Sequence, residues 1–309
     1  MALVGLFDFQ VNGFGGIDFQ NPNLTRTDLR HAVQALQSRD VAGILLTLIT
    51  DTPERLCEQF SLVERYRAED PQIAQTIWGY HLEGPWLRPE AGFCGAHGPE
   101  LMCAPQISVF NKLHAAAGGA IRLVTLAPEW AGSPEFIREL VSRGVHVSLG
   151  HTNASDREID AAIEAGARFC THLGNGVPAI LPRHDNVVQR LLARDELTAC
   201  FIPDGIHLPP FVLKNLFRAK PAGKALFTTD CMAAAGALEG TYSLGGRIQV
   251  SVGRDRVVRD PGASGGFAGS ALEPDRGVEL TAEFLGIPRE EARLYWSERA
   301  TAAFGFAAS

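Results

Sequence analysis

The strongest constraint on the fold is an alternation of short apolar runs, rich in β-branched residues, with longer amphipathic stretches along almost all 309 residues. Most of the longer stretches begin with Ser, Thr, Asp or Pro and are often followed by Gly, the usual start and stop signals of helices. Eight strands, each followed by a helix or a long loop, predict an α/β fold, a parallel (β/α)8 TIM barrel. The predicted strands are LVGLFDF, AGILLTLI, IWGYHLE, IRLVTLAP, VHVSLGH, RFCTHL, LTACFIPDG and KALFTTD.

A doubly wound open sheet would show the same alternation and is the structural alternative. Such a sheet predicts a Gly-x-Gly-x-x-Gly phosphate-binding loop after the first strand, and no such loop follows LVGLFDF. With 46% hydrophobic and 20% charged residues, the chain has an ordinary globular composition and can bury a large core. We therefore predict that residues 1–309 form a single barrel domain.

One segment after the eighth strand departs from the alternation. TYSLGGRIQVSVGRDRVV, residues 241–258, has a period of two and a Gly-Arg-Asp turn, which predicts an inserted β-hairpin. Because an isolated hairpin is only marginally stable in water, we expect it to pack against the barrel or against a second subunit.

Charge and termini exclude two classes of partner. The net charge is −7 and no basic run is present, so we expect no nucleic acid. No apolar stretch reaches the roughly 20 residues that cross a bilayer, and the amino terminus lacks the basic region of a signal peptide. These features predict a cytoplasmic protein that binds no membrane. The scattered cysteines are expected to be reduced, with Cys94 and Cys103 incidental members of one loop.

Polar side chains stand at the carboxyl ends of several predicted strands. Glu83 follows the third strand, His151 the fifth, His172 the sixth and Asp230 the eighth. Barrel enzymes carry their chemistry on this face. One carboxylate and two imidazoles form a three-ligand set that leaves a position open for water, as catalytic zinc sites do. Asp230 then remains available as a general base.

The first strand contributes no histidine to this set. In many metal-dependent hydrolases of barrel type, the end of the first strand reads His-x-His, whereas this chain has Gln10 and Asn12. We therefore expect Glu83, His151 and His172 to hold a metal ion without ligands from the first strand.

Six motifs in succession resemble those of the N-acetylglucosamine-6-phosphate deacetylases of the amidohydrolase superfamily. The motifs are HLEGPWL, GAHGP, SLGHTNAS, THLGNGVP, DGIHLPP and TDCMAAAG, and the resemblance extends from about Phe7 to the ERATAAFG segment. It implies an amidohydrolase-type barrel in the single-metal version, an amino sugar phosphate as small-molecule partner, and a homodimer. Members normally carry a small β-sandwich as well, so the chain resembles a short form in which the 241–258 hairpin is its remnant.

The resemblance also implies roles for individual residues. Glu83, His151 and His172 correspond to metal ligands, and Asp230 to the acid that serves as general base and then general acid. His97 is expected to polarise the acetyl carbonyl and contact the substrate. Each histidine taken alone is also consistent with a hydrogen-bonded core residue.

Phosphate recognition is expected on the loops after the sixth strand. Backbone N–H groups at Asn175 and Gly176 suit an anion, and Arg183 roughly matches a family arginine that reaches the phosphate, sometimes from the partner subunit. The family's Pro-Gly after that arginine is replaced by Asp185-Asn186. His207, in DGIHLPP, corresponds to a further substrate contact.

These observations predict a metal-dependent hydrolase that converts N-acetylglucosamine 6-phosphate to glucosamine 6-phosphate and acetate. The ligand set suits Zn²⁺ and is also compatible with Fe²⁺, Co²⁺ or Mn²⁺. Two alternatives remain open: the same deacetylation of another N-acyl amino sugar or its phosphate, and a non-catalytic sugar-phosphate binding protein.

Overall fold

The computed structural model describes residues 5–259 and 267–306. Eight parallel strands form its main sheet, in the order β1-β4-β5-β6-β7-β8-β9-β10, and each overlaps one of the predicted strands, which confirms the (β/α)8 barrel. The strands are β1 (Leu6–Val11), β2 (Gly13–Phe14), β3 (Ile17–Asp18), β4 (Val41–Ile49), β5 (Ile77–Glu83), β6 (Ile121–Leu126), β7 (His146–Leu149), β8 (Phe169–Cys170), β9 (Thr198–Phe201), β10 (Ala225–Phe227), β11 (Gly240–Leu244), β12 (Ile248–Val252) and β13 (Val258–Arg259).

Helices follow most of the barrel strands and cover the outside of the sheet. Two of them begin with a capping box, formed by Thr25 with Asp28 and by Ser155 with Glu158, as the sequence signals require. No described helix combines the length and apolar character that crossing a bilayer requires. The helices are α1 (Arg26–Gln37), α2 (Pro53–Glu69), α3 (Pro71–Thr76), α4 (Ile107–Ala116), α5 (Ser133–Ser142), α6 (Asp156–Ala165), α7 (Val187–Leu192), α8 (Pro210–Ala219), α9 (Pro274–Leu285), α10 (Arg289–Trp296) and α11 (Glu298–Ala303).

An aromatic cluster closes the amino-terminal end of the barrel. The ring of Phe304, which follows the last helix, lies 5.6 Å from that of Phe7, 5.1 Å from that of His146 and 5.0 Å from that of Phe169. The latter three residues stand at or near the starts of their strands. The opposite end, where the strands finish, is therefore the end at which polar groups can gather.

The segment after β10 forms a small antiparallel sheet of three strands, β11-β12-β13. We predicted a hairpin with its turn near Gly253; the structure has an additional turn at Gly245 and Gly246. There the Gly246 N–H donates to Asp18 (2.8 Å), and Arg247 donates to the Thr50 carbonyl (2.6 Å). A Cβ on Gly246 would lie 2.6 Å from a backbone oxygen, so this close approach requires glycine. The sheet thus docks on the carboxyl end of β4.

Candidate active site

The three predicted metal ligands, Glu83, His151 and His172, meet at the carboxyl end of the barrel. The Nε2 atom of His172 lies 3.2 Å from Oε1 of Glu83, that of His151 lies 3.4 Å from the same oxygen, and the two Nε2 atoms are 3.2 Å apart. All three side chains are buried. The three atoms form a compact triangle because β7 and β8 are adjacent, only β6 separates them from β5, and the strand ends converge at the barrel mouth.

The hydrogen bond of His151 favours a cation at the centre of the triangle. His151 Nδ1 lies 2.7 Å from the Phe93 carbonyl oxygen, which can only accept, so in a neutral ring the proton is on Nδ1. Its Nε2 lone pair then faces the Glu83 carboxylate, and two acceptors so close repel each other. Ligands about 2.0–2.1 Å from zinc in a tetrahedron are about 3.4 Å apart, close to the spacing found here. The donor set therefore fits a divalent metal ion.

A third histidine borders the same carboxylate. Glu83, His97 and His151 offer possible ligand atoms that all lie within 4.8 Å of one another, and His97 Nε2 is 4.0 Å from Oε2 of Glu83. Burial and the neighbouring His151 imidazole lower the pKa of His97 to about 3, so the ring is neutral at physiological pH. The HLEGPWL histidine, His81, instead bonds Thr125 Oγ1 (2.8 Å), which indicates a structural role.

Gln10 and Asn12 contact the two site carboxylates through their amide groups. Gln10 Nε2 donates to Glu83 Oε2 (3.2 Å), and Asn12 Nδ2 donates to Asp230 Oδ1 (2.9 Å). Both side chains are buried. Amide donors therefore stand where His-x-His would supply ligands, and they orient the carboxylates instead. The sequence indicated that these residues were not ligands but did not indicate these contacts.

Asp230 lies in this site with little access to solvent. Burial and the charge of Glu83 raise the pKa of Asp230 to about 8. A carboxyl group with such a pKa can both take and release a proton near neutral pH.

Three of the residues in the site adopt an unusual backbone conformation. His151, His172 and Asp230 have φ values of 50°, 29° and 49°, in the left-handed region that non-glycine residues rarely occupy. Such conformations persist where the surrounding structure holds them, and they are found most often at functional sites. Here they turn the chain sharply just after a strand, so that each side chain points into the barrel mouth.

Of the predicted substrate residues, Asn175 and Gly176 contact the ligand histidines. Asn175 donates its backbone N–H to the His172 carbonyl (2.9 Å), and a Cβ added to Gly176 would lie 2.9 Å from the His151 ring. His207 pairs with Asp204 at 2.6 Å. Arg183 is exposed on the loop before α7.

Comparisons with known proteins agree with this architecture. No family model matches the chain. The chain is 30% identical to the N-acetylglucosamine-6-phosphate deacetylase of Bacillus subtilis (strain 168), over 99% of this chain and 76% of that protein. It is 36% identical to the N-acetylgalactosamine-6-phosphate deacetylase of Escherichia coli O157:H7, over 92% of this chain and 73% of that protein. For the human N-acetylglucosamine-6-phosphate deacetylase, also 36% identical, the match spans 78% of this chain and 60% of the relative.

Solved structures resemble the whole described fold. A mutant N-acetyl-D-glucosamine-6-phosphate deacetylase from Mycobacterium smegmatis, in complex with N-acetyl-D-glucosamine-6-phosphate, has a TM-score of 0.88 at 31% identity, covering 99% of this chain and 78% of that one. The corresponding enzyme from Thermotoga maritima has a TM-score of 0.85 at 26% identity, covering 98% and 78%. The chain belongs to the N-acetylglucosamine-6-phosphate deacetylase family.

Proposed function

We propose that the protein hydrolyses the acetamide of N-acetylglucosamine 6-phosphate, releasing acetate and glucosamine 6-phosphate. The observation that carries this proposal is the triangle of Glu83, His151 and His172 beside the buried carboxyl of Asp230, in a chain of this family. Zinc is the metal that we assign to the triangle, although the same donors accept Fe²⁺, Co²⁺ or Mn²⁺.

The protonation of His97 supports a role as hydrogen-bond donor rather than ligand. Its Nδ1 lies 3.4 Å from the Thr50 N–H and 2.9 Å from the Thr50 hydroxyl. A backbone N–H can only donate, so Nδ1 accepts and Nε2 carries the proton. A protonated Nε2 cannot bind a metal, but it can donate to the oxygen of the acetyl group as negative charge develops there.

The reaction then requires one acid–base group from the chain. A divalent ion held by Glu83, His151 and His172 would polarise the acetyl carbonyl and lower the pKa of a water molecule. Asp230 takes the proton from the attacking water and later passes it to the departing nitrogen, because an amide nitrogen is a poor leaving group until it is protonated. Asn12 holds the Asp230 carboxyl in position for both transfers.

The proposed substrate contacts follow the family motifs of the sequence. We assign the sugar phosphate to Asn175 and Gly176, which adjoin His172 and His151, and to His207, with Arg183 reaching the phosphate from its exposed loop. The second candidate substrate is N-acetylgalactosamine 6-phosphate, which the name of the Escherichia coli relative favours. A homodimer and a cytoplasmic location stay predictions.

Acetate release tests the function directly. Purified protein is stripped of metal, reloaded separately with Zn²⁺, Fe²⁺, Co²⁺ or Mn²⁺, and assayed on both N-acetylhexosamine 6-phosphates and on unphosphorylated N-acetylglucosamine. We expect metal-dependent acetate release that is fastest with a phosphorylated sugar. Sugar phosphate binding without acetate release under any metal would instead identify a binding protein.

A further inference from the structure

A fully buried carboxylate lies behind the site, on β1. Asp8 accepts hydrogen bonds from the Thr228 hydroxyl (2.5 Å), the Thr229 hydroxyl (2.6 Å), the Thr229 N–H (3.2 Å) and the Gln10 N–H (3.3 Å). No lysine or arginine pairs with it among the described residues. Burying a carboxyl group without a cation is unfavourable, so its position calls for a reason other than stability.

Asp8 spans the place where the barrel closes. Within the described residues, β1 and β10 are the two ends of the main sheet and share no ladder of paired residues. Their backbones meet at the rim, in an isolated bridge between Val11 and Cys231 with a hydrogen bond from the Asn12 N–H to the Cys231 carbonyl (2.8 Å). Below that bridge, the side chain of Asp8 makes the connection that backbone pairing makes between the other strands.

The two strand ends that Asp8 joins carry groups of the proposed reaction. On β1, Asp8 accepts from the backbone of Gln10, whose side-chain amide donates to the metal-ligand carboxylate Glu83. On the other side it holds Thr229, the residue before Asp230. Asp8 therefore contacts both Gln10, which bonds the proposed ligand Glu83, and Thr229, which precedes the proposed acid–base group Asp230.

We propose that Asp8 is a positioning residue, which fixes the ends of β1 and β10 so that Glu83 and Asp230 keep their relative placement. This inference rests on the deacetylase activity proposed above. Asp8 itself does not contact the substrate; it acts through Gln10 and Thr229.

Asp8→Asn is the direct test because it preserves shape. The new amide keeps one acceptor, but its NH₂ group then faces the hydroxyl and the N–H of Thr229, and the N–H cannot turn away. Asp70→Asn is the matched control: Asp70, between α2 and α3, is also buried and accepts a backbone hydrogen bond from Gln72, but it contacts none of the groups of the proposed reaction. Thr228→Val, which removes only one donor to Asp8, is the milder second variant.

The readouts are kcat, KM, zinc affinity and thermal unfolding of each variant. Loss of a group that supports metal ligands typically lowers affinity or activity about 10- to 100-fold. For Asp8→Asn we expect a loss of that size in kcat per folded molecule, with KM nearly unchanged, and a smaller loss in the same direction for Thr228→Val. Asp70→Asn should lower thermal stability but not kcat.

Two results separate the failure of this inference from the failure of the proposed function. If the wild-type protein releases acetate and Asp8→Asn keeps its kcat and zinc affinity, the positioning role is refuted and the deacetylase stands. If the wild-type protein releases no acetate, zinc affinity still tests the positioning role. A lower zinc affinity in Asp8→Asn and Thr228→Val alone supports that role, and equal affinities in all variants refute it. If Asp8→Asn does not fold, the decision rests on Thr228→Val.

Discussion

The side-chain amide of Asn12 donates a 2.9 Å hydrogen bond to the carboxyl group of Asp230, across the closing point of the barrel. Asn12 lies on the first-strand side of this closing point, where many metal-dependent barrel hydrolases carry His-x-His. The position that would offer a metal ligand instead orients the proposed acid–base group.

Replacing Asp230 by Asn should abolish turnover while leaving the metal in place. The variant keeps an oxygen that can accept from Asn12, but it can no longer take a proton from water. General acid–base groups contribute about 100- to 10,000-fold, so kcat should fall by that factor. Acetate release and metal content measure the two effects, with the exposed Asp195→Asn as control. Substantial residual turnover would assign the proton transfers to another group.

Two ligand sets are possible, and both contain Glu83 and His151. Their third member is His172 in one set and His97 in the other. His172→Ala should lose bound zinc, because it removes one corner of the triangle with Glu83. His97→Ala should keep zinc and lose activity, because its Nε2 is assigned to the acetyl oxygen. Metal titration of both variants, with the exposed His184→Ala as control, distinguishes the sets. The reverse pattern would make His97 the ligand.

Arg183→Ala should weaken recognition of phosphate. A hydrogen bond to a charged group contributes about 1.5–3 kcal/mol, so KM for the phosphorylated sugar should rise about 10- to 100-fold. KM for the unphosphorylated sugar should not change, and neither should either KM in the exposed control Arg157→Ala. An equal rise for both sugars would argue against a phosphate contact.

The small sheet after β10 should support His97 through Arg247. Arg247 donates to the Thr50 carbonyl (2.6 Å), and Thr50 contacts His97 Nδ1. Losing this partner should lower the free energy of unfolding by about 1–3 kcal/mol and reduce kcat in Arg247→Ala. Arg254→Ala is a matched control on the same sheet, since its side chain is 93% exposed. Chemical unfolding and acetate release measure both effects. Identical behaviour of the two variants would mean that the small sheet does not support His97.

Asp8 should impose a pH dependence on stability. Burial raises the pKa of Asp8 from 3.8 to about 6, so the folded state binds the proton more tightly than the unfolded state. The contribution of Asp8 to the free energy of unfolding is fully present below about pH 4. It is lost as the pH rises through 6, a change of about 3 kcal/mol. Urea unfolding of metal-free wild type and Asp8→Asn between pH 4 and 7 isolates this change as the difference between the two curves. A constant difference would mean that Asp8 titrates alike in both states.

Local patterns were sufficient for the barrel and for the ends of its strands. The apolar runs correspond to the eight strands. A parallel strand that is buried on both faces is a short apolar run, and such a run can be recognised from the local sequence alone. Glu83, His151 and His172 follow three such runs, and parallel strands bring their carboxyl ends to one rim. The turn at Gly245 in the small sheet was not predicted, because its docking on Asp18 and Thr50 depends on residues about 200 positions away.

The sequence by itself determined the class of fold, the residue types at the rim and the family, since these follow from periodicity and short motifs. Only the tertiary structure decided that Asn12 meets Asp230, 218 positions away, and that Asp8 joins the first strand to the last. It also decided the left-handed backbone of His151, His172 and Asp230. These features arise where the barrel closes, and the contacts across a closure depend on the placement of every strand between.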